Sequence, residues 1–444
     1  MTRRMPVTGQ TWTIAIAVCL LAALACAASA EIHHVVLDNG LTLVVLPNPW
    51  SRAAAISIMV GAGSKYDPAG LEGLAQITNE LLFEGVGETP SDEVHDELSA
   101  MGVEYKCLTS EDTAELLLYG HENRFEYMVD MAATTLSEPV FLVGRLENEK
   151  KVALASYESE LADDWNNSYR AVTELLYDGH PYAVTPLGTP EGMDAVTIPH
   201  VQHFYQEHYS PPNTIVVAVG DLQPESTLTL LEDAFESYVN PAEPPDPIPV
   251  PERTDMTVRK LYGGERDGFI QIGFAGPKPS ETDDLATLSV LMAVLGAGTD
   301  SRLYTMLADS EEEVVSATGA FASHRAEQVR LIIYALGASD AETVQDILDE
   351  VERMRSEAPN ARELERAKEN VIGSSVLRMQ RNAEKASTIA RDHFLGLPLS
   401  CCETYIEETE AVTAEQVRAA AERYLVNPAV VLQRPGNPPK RRGL

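Results

Sequence analysis

A proline-dense segment near the middle of the chain limits the folds that the sequence can adopt. Residues 241–251 read Pro-Ala-Glu-Pro-Pro-Asp-Pro-Ile-Pro-Val-Pro. Such a run favours extended backbone and cannot continue a helix. It separates residues 31–240 from a part of similar length, 252–436, and leaves 437–444 as a short tail. We therefore expect two domains joined by a linker, which suits a chain of 444 residues because domains usually contain about 100–200.

The two parts end in the same pattern. Residues 201–209 form an amphipathic segment that is followed by Pro-Pro-Asn and the apolar run 214–219. Residues 417–424 form a similar segment that is followed by Asn-Pro and the apolar run 429–432. Because each pattern closes its part of the chain, we interpret the repetition as an internal duplication that produced two homologous domains.

Strand and helix patterns are mixed within each part. Alternating residues around Asn39-Gly40 predict a β-hairpin over 34–46. Further strands are predicted at 54–60, 104–109, 113–119, 257–262, 268–274, 312–320 and 328–335. Helices are predicted at 91–101, 122–136, 145–162, 283–295, 340–355, 361–380 and 384–394. This mixture predicts an α+β fold in which each domain has a mainly antiparallel sheet with helices packed on one face.

The first 30 residues have the pattern of a secretory signal peptide. Arg3 and Arg4 precede the apolar run 13–25, and Ala-Ser-Ala at 28–30 is typical of a cleavage site. The apolar run is shorter than the about 20 residues that span a membrane. We expect a signal peptide over 1–30 and an exported, periplasmic protein without a stable membrane span, with a lipoprotein or tethered form as the less favoured alternative.

Charge and cysteine content narrow the function classes. The formal net charge is −35, which disfavours binding to nucleic acid because phosphate groups would be repelled. Cleavage after residue 30 would leave Cys107, Cys401 and Cys402. Since this number is odd and two of the three are adjacent, no disulfide framework is predicted.

Residues 73–85 carry the most informative motif, Gly-Leu-Ala-Gln-Ile-Thr-Asn-Glu-Leu-Leu-Phe-Glu-Gly. The segment resembles the metal-binding helix of the insulinase/pitrilysin metallopeptidases, which has the pattern G-L-A-H-x-x-E-H-x-x-F-x-G. The retained framework residues are Gly73, Leu74, Ala75, Leu82, Phe83 and Gly85. By this resemblance, Gln76, Asn79 and Glu80 occupy the positions of the first histidine, the catalytic glutamate and the second histidine.

Other segments resemble the same family in the same order along the chain. They are the hairpin 37–45, the loop 180–191, the helix–turn–strand 204–221 and the glycine turn with Ser-Arg-Leu at 295–304. The resemblance therefore covers nearly the whole chain after residue 30. It implies two homologous α+β domains that face one another around a peptide-holding chamber.

The residues at the motif positions are poorly suited to zinc catalysis. Helix positions i and i+4 share a face, so Gln76 and Glu80 would lie together. Glutamine is a weak neutral ligand, however, and the amide of Asn79 cannot accept a proton from a metal-bound water. The resemblance places the third ligand at Ser156, and Glu158 should point away from that position. Glu80 is the one plausible ligand, and we predict no catalytic residue, no metal and no other cofactor.

A second feature implied by the resemblance is an Arg and a Tyr, seven residues apart, that hold the substrate carbonyl. The matching positions in this chain are Ala308 and Val315, so the substrate-binding pair is also expected to be missing. Arg302 and Tyr304 lie nearby, and we interpret them as parts of a structural turn and helix start.

These patterns favour an exported, non-catalytic family member. The resemblance implies a companion subunit that binds an active zinc metallopeptidase paralogue as a heterodimer, or a second copy as a homodimer, and helps to hold a peptide substrate. One alternative is an active metallopeptidase whose zinc cofactor has an atypical ligand set. Another is a peptide-binding scaffold that acts alone.

Overall fold

The computed structural model describes residues 31–83, 85–86, 89–263, 268–308 and 315–436. The expected signal peptide, 1–30, and the expected tail, 437–444, lie outside these residues. Within them, no helix combines the length and the apolar composition that crossing a membrane requires.

The first sheet is formed by residues from the N-terminal part of the chain. Its strands are β1 (His33–Val36), β2 (Thr42–Pro47), β3 (Ala53–Val60), β6 (Glu104–Thr109), β7 (Ala114–His121) and β8 (Thr214–Gly220). Their order is β1-β2-β8-β3-β7-β6, and the β2–β8 pair alone is parallel. Between β3 and β6, the two-residue strands β4 (Gly85–Val86) and β5 (Thr89–Pro90) pair with each other.

The second sheet is formed by residues from the C-terminal part. Its strands are β9 (Thr257–Tyr262), β10 (Phe269–Ala275), β11 (Ala317–Ser323), β12 (Arg330–Leu336) and β13 (Ala429–Arg434). Their order is β11-β12-β10-β13-β9, with β13–β9 as the parallel pair. The strand predicted at 312–320 is observed as β11, and residues 312–314 lie outside the described ranges.

The two sheets repeat one topology. The series β2-β8-β3-β7-β6 corresponds to β9-β13-β10-β12-β11 in both order and strand direction. The strands β8 and β13, which close the two parts of the chain, occupy equivalent central places. This correspondence agrees with the internal duplication and with the predicted mainly antiparallel sheets.

Fifteen helices surround the sheets in the described ranges. In the N-terminal part they are α1 (Leu74–Phe83), α2 (Ser91–Met101), α3 (Phe125–Ser137), α4 (Val143–Ala162), α5 (Asp164–Leu176), α6 (Pro190–Ala195), α7 (Ile198–His208) and α8 (Pro224–Ala234). In the C-terminal part they are α9 (Leu285–Gly296), α10 (Arg302–Ala308), α11 (Ala341–Ser356), α12 (Ala361–Arg378), α13 (Asn382–Phe394), α14 (Cys401–Ala411) and α15 (Ala414–Tyr424).

Each sheet buries one face beneath helices of its own part. Leu43, Ile56 and Val216 of the first sheet pack with apolar residues of α1, α3 and α7. Ile272 and Ile333 of the second sheet pack with α9, α11 and α15 in the same way. Because strand side chains alternate between faces, the neighbouring residues of these strands point to the opposite side.

The opposite face of each sheet is covered by a helix from the other part. Ala386, Ile389 and Ala390 of α13 form an apolar cluster with β2, β3 and β8 of the first sheet. Val172 and Leu176 of α5 form a similar cluster with β12 and β13 of the second sheet. The sequence patterns did not predict this reciprocal exchange, which ties the two parts together through their cores.

The proline-rich segment connects the two parts without a helix or strand over 241–250. The Arg253 guanidinium donates to the carbonyl of Leu175 in the N-terminal part and, at 3.3 Å, to the carbonyl of Asn427 in the C-terminal part. These bonds anchor the end of the connection on both sides.

Candidate functional site

The helix that carries the motif, α1, is fixed at its N-terminus by Asp67. One carboxylate oxygen of Asp67 accepts from the backbone N–H of Gly73 at 2.7 Å, and the other accepts from the N–H of Ala75 at 2.8 Å. The first N–H groups of a helix have no partners within the helix, and a carboxylate also suits the positive end of the helix dipole. Asp67 therefore sets where α1 begins.

The glycines of two resembling segments meet beside this helix start. Gly188 has a φ of +80°, and a Cβ at this position would lie 2.1 Å from the carbonyl oxygen of Glu72. Gly73 has a φ of +106° and faces the carbonyl oxygen of Leu187. The N–H of Thr189 donates to the oxygen of Glu72 at 3.2 Å. Glycine is needed here because the loop at 185–189 approaches the backbone that leads into α1.

Gln76 and Glu80 lie on the same partly exposed face of α1, as predicted from their spacing. The Gln76 Nε2 donates to Glu80 Oε1 at 3.0 Å. The two positions that would hold a metal between imidazoles in the related motif are instead joined by a direct amide–carboxylate hydrogen bond. This contact satisfies part of the hydrogen-bonding capacity of Glu80 without a cation.

Asn79 is buried and acts as a hydrogen-bond donor. Its Nδ2 lies 3.2 Å from the carbonyl oxygen of Leu108, 3.2 Å from Thr109 Oγ1 and 3.3 Å from the carbonyl oxygen of Glu115. The backbone partners belong to β6 and β7, so the side chain joins α1 to the edge of the first sheet. A glutamate or aspartate carboxylate could not donate to these carbonyl oxygens. The environment therefore selects an amide at the position where catalysis would need a base.

Ser156 lies on α4, which packs beside α1, and its side chain is exposed. Glu158, two residues further along α4, is also exposed. Within the described ranges, no three His, Cys, Asp or Glu side chains are grouped as metal ligands. Among the residues at the motif positions, Glu80 is the one carboxylate, and Gln76 and Ser156 offer only neutral oxygens. This donor set fits zinc poorly because zinc prefers histidine, cysteine and carboxylate ligands.

The second pair of positions flanks residues outside the described ranges. Ala308 ends α10, and Val315 packs against the second core just before β11. Arg302 at the start of α10 is buried, and its Nε and Nη2 donate to Glu363 at 2.8 and 3.1 Å. A bidentate arginine–carboxylate pair holds both side chains in fixed positions. These contacts support the structural interpretation of Arg302.

Within the described ranges, three of the histidines have structural partners and belong to no group of metal ligands. His200 caps the start of α7, where its Nδ1 accepts from the N–H of Thr197, whereas His203 pairs with Glu207 at 3.3 Å. His180 accepts from the N–H of Tyr182 and contacts the carbonyl of Ile248 at 3.0 Å. Burial lowers the pKa of His180, so the ring is neutral at neutral pH.

A buried charge cluster joins the β6–β7 turn to the β11–β12 turn. Arg330 Nη2 lies 2.6 Å from Glu111 Oε1, and Arg325 Nε lies 2.6 Å from Glu111 Oε2. Burial alone would disfavour the carboxylate, but the two guanidinium groups outweigh burial and hold the pKa of Glu111 well below its ordinary value. In the adjacent pair, Lys65 Nζ lies 2.9 Å from Asp112 Oδ1.

These turns are at equivalent positions of the repeated topology, and Glu111 of the first turn pairs with Arg325 of the second and with Arg330 at the start of β12. No local sequence pattern indicates this cluster, because Glu111 and Arg330 lie 219 residues apart. The repeated topology is the one feature from which this charge cluster could have been predicted. Turns at matching places near the centre of a duplicated fold are candidates for contact.

Comparisons with known proteins place this architecture among peptidases. A sequence profile described as "Insulinase (Peptidase family M16)" matches residues 43–189, and one described as "Peptidase M16 inactive domain" matches residues 195–371. The chain belongs to the insulinase family of peptidases, family M16. The words "inactive domain" in the second description are consistent with a non-catalytic chain. They describe residues 195–371, whereas the motif helix α1 lies within the first match.

Individual relatives cover most of the chain at low identity. An uncharacterized zinc protease of Bacillus subtilis is 23% identical over 392 residues, which are 86% of this chain and 93% of that protein. The crystal structure of a protease from Helicobacter pylori gives a TM-score of 0.85 at 19% identity and covers 91% of this chain and 100% of the other. A chain of complex III2 from Candida albicans gives a TM-score of 0.78 at 16% identity, with 91% and 96% covered. The structural matches establish the fold.

Proposed function

We propose that this protein is an exported, non-catalytic companion subunit that binds an active zinc metallopeptidase of the same family and helps to hold its peptide substrate. The observation that carries the proposal is the environment of Asn79. The amide is buried and donates to the backbone of two strands, in a helix whose framework residues Leu74, Ala75, Leu82 and Phe83 are all buried. The packing of the motif helix is intact, and its polar positions are adapted to structure.

The substrate-holding part of the proposal rests on β6. This strand pairs only with β7 among the described residues, so it forms an edge of the first sheet. Edge strands offer backbone N–H and C=O groups to which an extended peptide can add as a further strand. Leu108 on β6 is 46% exposed, and Asn79 anchors the backbone of the same residue. A family member that cannot cleave would still be able to bind a peptide at this edge.

The comparisons add support for a partner. The fold also occurs in a chain of a structure described as complex III2 from Candida albicans. The relative from Bacillus subtilis bears the name of a zinc protease, and this is the class of protein that a companion would need. Homodimerisation is the alternative assembly, in which a second copy would complete the chamber.

Export is proposed from residues 1–30, which lie outside the described ranges. Their charged start, apolar run and Ala-Ser-Ala sequence are those of a signal peptide. Sequencing the N-terminus of the protein from a periplasmic fraction should give Glu31 as the first residue. An intact Met1 in a cytoplasmic fraction would refute export.

A pull-down from the source organism tests the companion function. The full chain, tagged at its C-terminus, is expected to recover a family relative with an intact zinc motif, and zinc should be found in the complex but not in this subunit alone. Recovery of no such relative would refute a heterodimer. Size measurements on the purified chain would then separate a homodimer from a scaffold that acts alone.

An active zinc metallopeptidase is the second candidate function, and the name of the Bacillus subtilis relative favours it. In that case zinc would have to bind through Glu80 and ligands outside the motif. Chelator-sensitive peptide cleavage by the isolated chain would support this candidate over the companion.

A further inference from the structure

A second candidate binding site lies at the end of α12, away from the motif helix. Arg378, Arg391 and Leu395 line a cavity of about 70 Å³ together with His324 and the phenol of Tyr405. A single water needs about 10–15 Å³ by a comparable measure, so the cavity has room for a small side chain. It adjoins a larger cavity of about 280 Å³ that reaches Leu108 on the β6 edge.

The polar wall of the smaller cavity carries an excess of positive charge. The guanidinium of Arg378 makes no ion pair or hydrogen bond within the described part of the chain. Arg391 Nη2 lies 3.5 Å from Asp392 Oδ1, and the buried Nε of Arg391 has no hydrogen-bond partner among the described residues. Two cations therefore face one carboxylate, and the excess charge is unusual in a protein with a net charge of −35.

His324 lines both cavities, and its Nε2 is also buried without a partner in the described ranges. Burial, reinforced by the charges of Arg391 and Arg378, lowers the pKa of His324 to about 4. The imidazole is therefore neutral at neutral pH, and a proton on Nε2 would be available for donation to an anion. Burial also raises the pKa of Asp392, against the influence of the same arginines.

Another part of the lining is apolar. Leu285, Met379, Leu395 and Leu397 surround the cavity with hydrocarbon. A ligand that fits both walls has a single negative charge next to a small apolar group. Among peptides, the last residue provides this combination, because its α-carboxylate lies beside its side chain.

We propose that this cavity binds the C-terminal residue of a peptide, with Arg378 and Arg391 as ligands of the carboxylate and the leucine-rich wall as the pocket for an apolar side chain. A peptide that runs along the β6 edge would reach the cavity through the larger space beside it. The proposal rests on the peptide-holding function and narrows its substrate class to peptides with a free C-terminus and an apolar last residue.

Calorimetric titration of the isolated full chain at low salt tests the site. The probes are N-acetyl-L-leucine, N-acetyl-L-leucinamide and octanoate. Charge-assisted hydrogen bonds should make the free acid bind about tenfold or more tightly than the amide. Octanoate, which lacks the peptide group, should bind more weakly than the acylated leucine. Equal binding of acid and amide would overturn the carboxylate site, and equal binding of octanoate would overturn its assignment to a peptide.

Matched variants on α12 locate the binding. Arg378→Gln should weaken the preference for the acid because Arg391 alone remains, whereas Arg362→Gln, which changes the same charge at an exposed position of the same helix, should retain the full preference. Because Arg378 is exposed, the variant should melt at the wild-type temperature. An unchanged preference in Arg378→Gln would refute the proposal. These titrations use no partner protein, so their failure is distinct from failure of the pull-down.

Discussion

Replacing Asn79 with aspartate tests whether the buried amide of α1 is a structural donor. Aspartate has nearly the same shape but lacks the N–H groups, so the carbonyl oxygens of Leu108 and Glu115 would lose their partner and face a carboxyl group. The three contacts, at 3.2 to 3.3 Å, are near the long end of the normal range. The Thr109 hydroxyl can donate to the new carboxylate, so the loss concerns the two bonds to carbonyl oxygens and should destabilise the fold by about 1–2 kcal/mol in total.

The new negative charge adds a second, pH-dependent contribution. Burial beside carbonyl oxygens should raise the folded-state pKa of the new carboxyl above its unfolded value of about 3.9. The folded protein can avoid the buried charge by keeping the new carboxyl protonated. Protonating it at pH 7 costs about 1.4 kcal/mol for each pH unit above its unfolded pKa of about 3.9, so the added cost at pH 7 is at most about 4 kcal/mol. We expect Asn79→Asp to lower the free energy of unfolding by about 2–5 kcal/mol at neutral pH.

The sign of the pH dependence follows from the raised pKa. Below about pH 4 the carboxyl is protonated in both states and the loss is smallest, and the loss grows as pH rises towards the folded-state pKa. Urea unfolding at several pH values gives the difference in the free energy of unfolding between the variant and the wild type. The titration of other groups cancels in this difference. Asn370→Asp, at an exposed position of α12, is the control and should change stability by less than about 0.5 kcal/mol. A loss in Asn79→Asp as small as in the control, without pH dependence, would refute the reasoning.

Two further predictions concern the charge cluster and the motif face. Glu111→Gln should destabilise the protein by about 3–5 kcal/mol in urea unfolding, because it leaves buried Arg330 without its counter-charge. The control Glu422→Gln, at an exposed ion pair, should lower the free energy of unfolding by less than about 1 kcal/mol. Similar losses in the two variants would contradict a stabilising role for the buried Glu111–Arg330 pair. The double variant Gln76→His with Glu80→His should gain zinc in metal analysis, since imidazoles at i and i+4 share a face. It should not cleave peptides, because no base is added, and cleavage would show that the missing base is supplied elsewhere.

Local patterns in the sequence predicted most of the strands and helices, because alternation and helical periodicity reflect which side of an element is buried. The hairpin at Asn39-Gly40 is confirmed, with Gly40 at a φ of +90° and Asn39 Oδ1 accepting from the N–H of Leu41. The helix α5 was missed. Its start, Asp-Trp-Asn-Asn-Ser, is polar, although Asp163 caps it by accepting from the N–H of Asn166.

The partners of each element were harder to predict than the elements. An apolar stripe on α13 shows that the helix is buried but not that it covers the sheet of the other domain. The positions of Gln76, Asn79 and Glu80 followed from their spacing on one helix. The acceptors of Asn79 did not, because they lie about 30 residues or more away and two of the three are backbone carbonyl oxygens, which any sequence provides.

The prediction that the chain binds no catalytic zinc is tested most directly by metal content and activity together. The full-length purified protein should be equilibrated with zinc, dialysed, and measured for bound metal and for cleavage of a mixed peptide library. We predict far less than one zinc per chain and no cleavage above the buffer control. A stoichiometric zinc ion, with cleavage that a chelator abolishes and added zinc restores, would contradict the account.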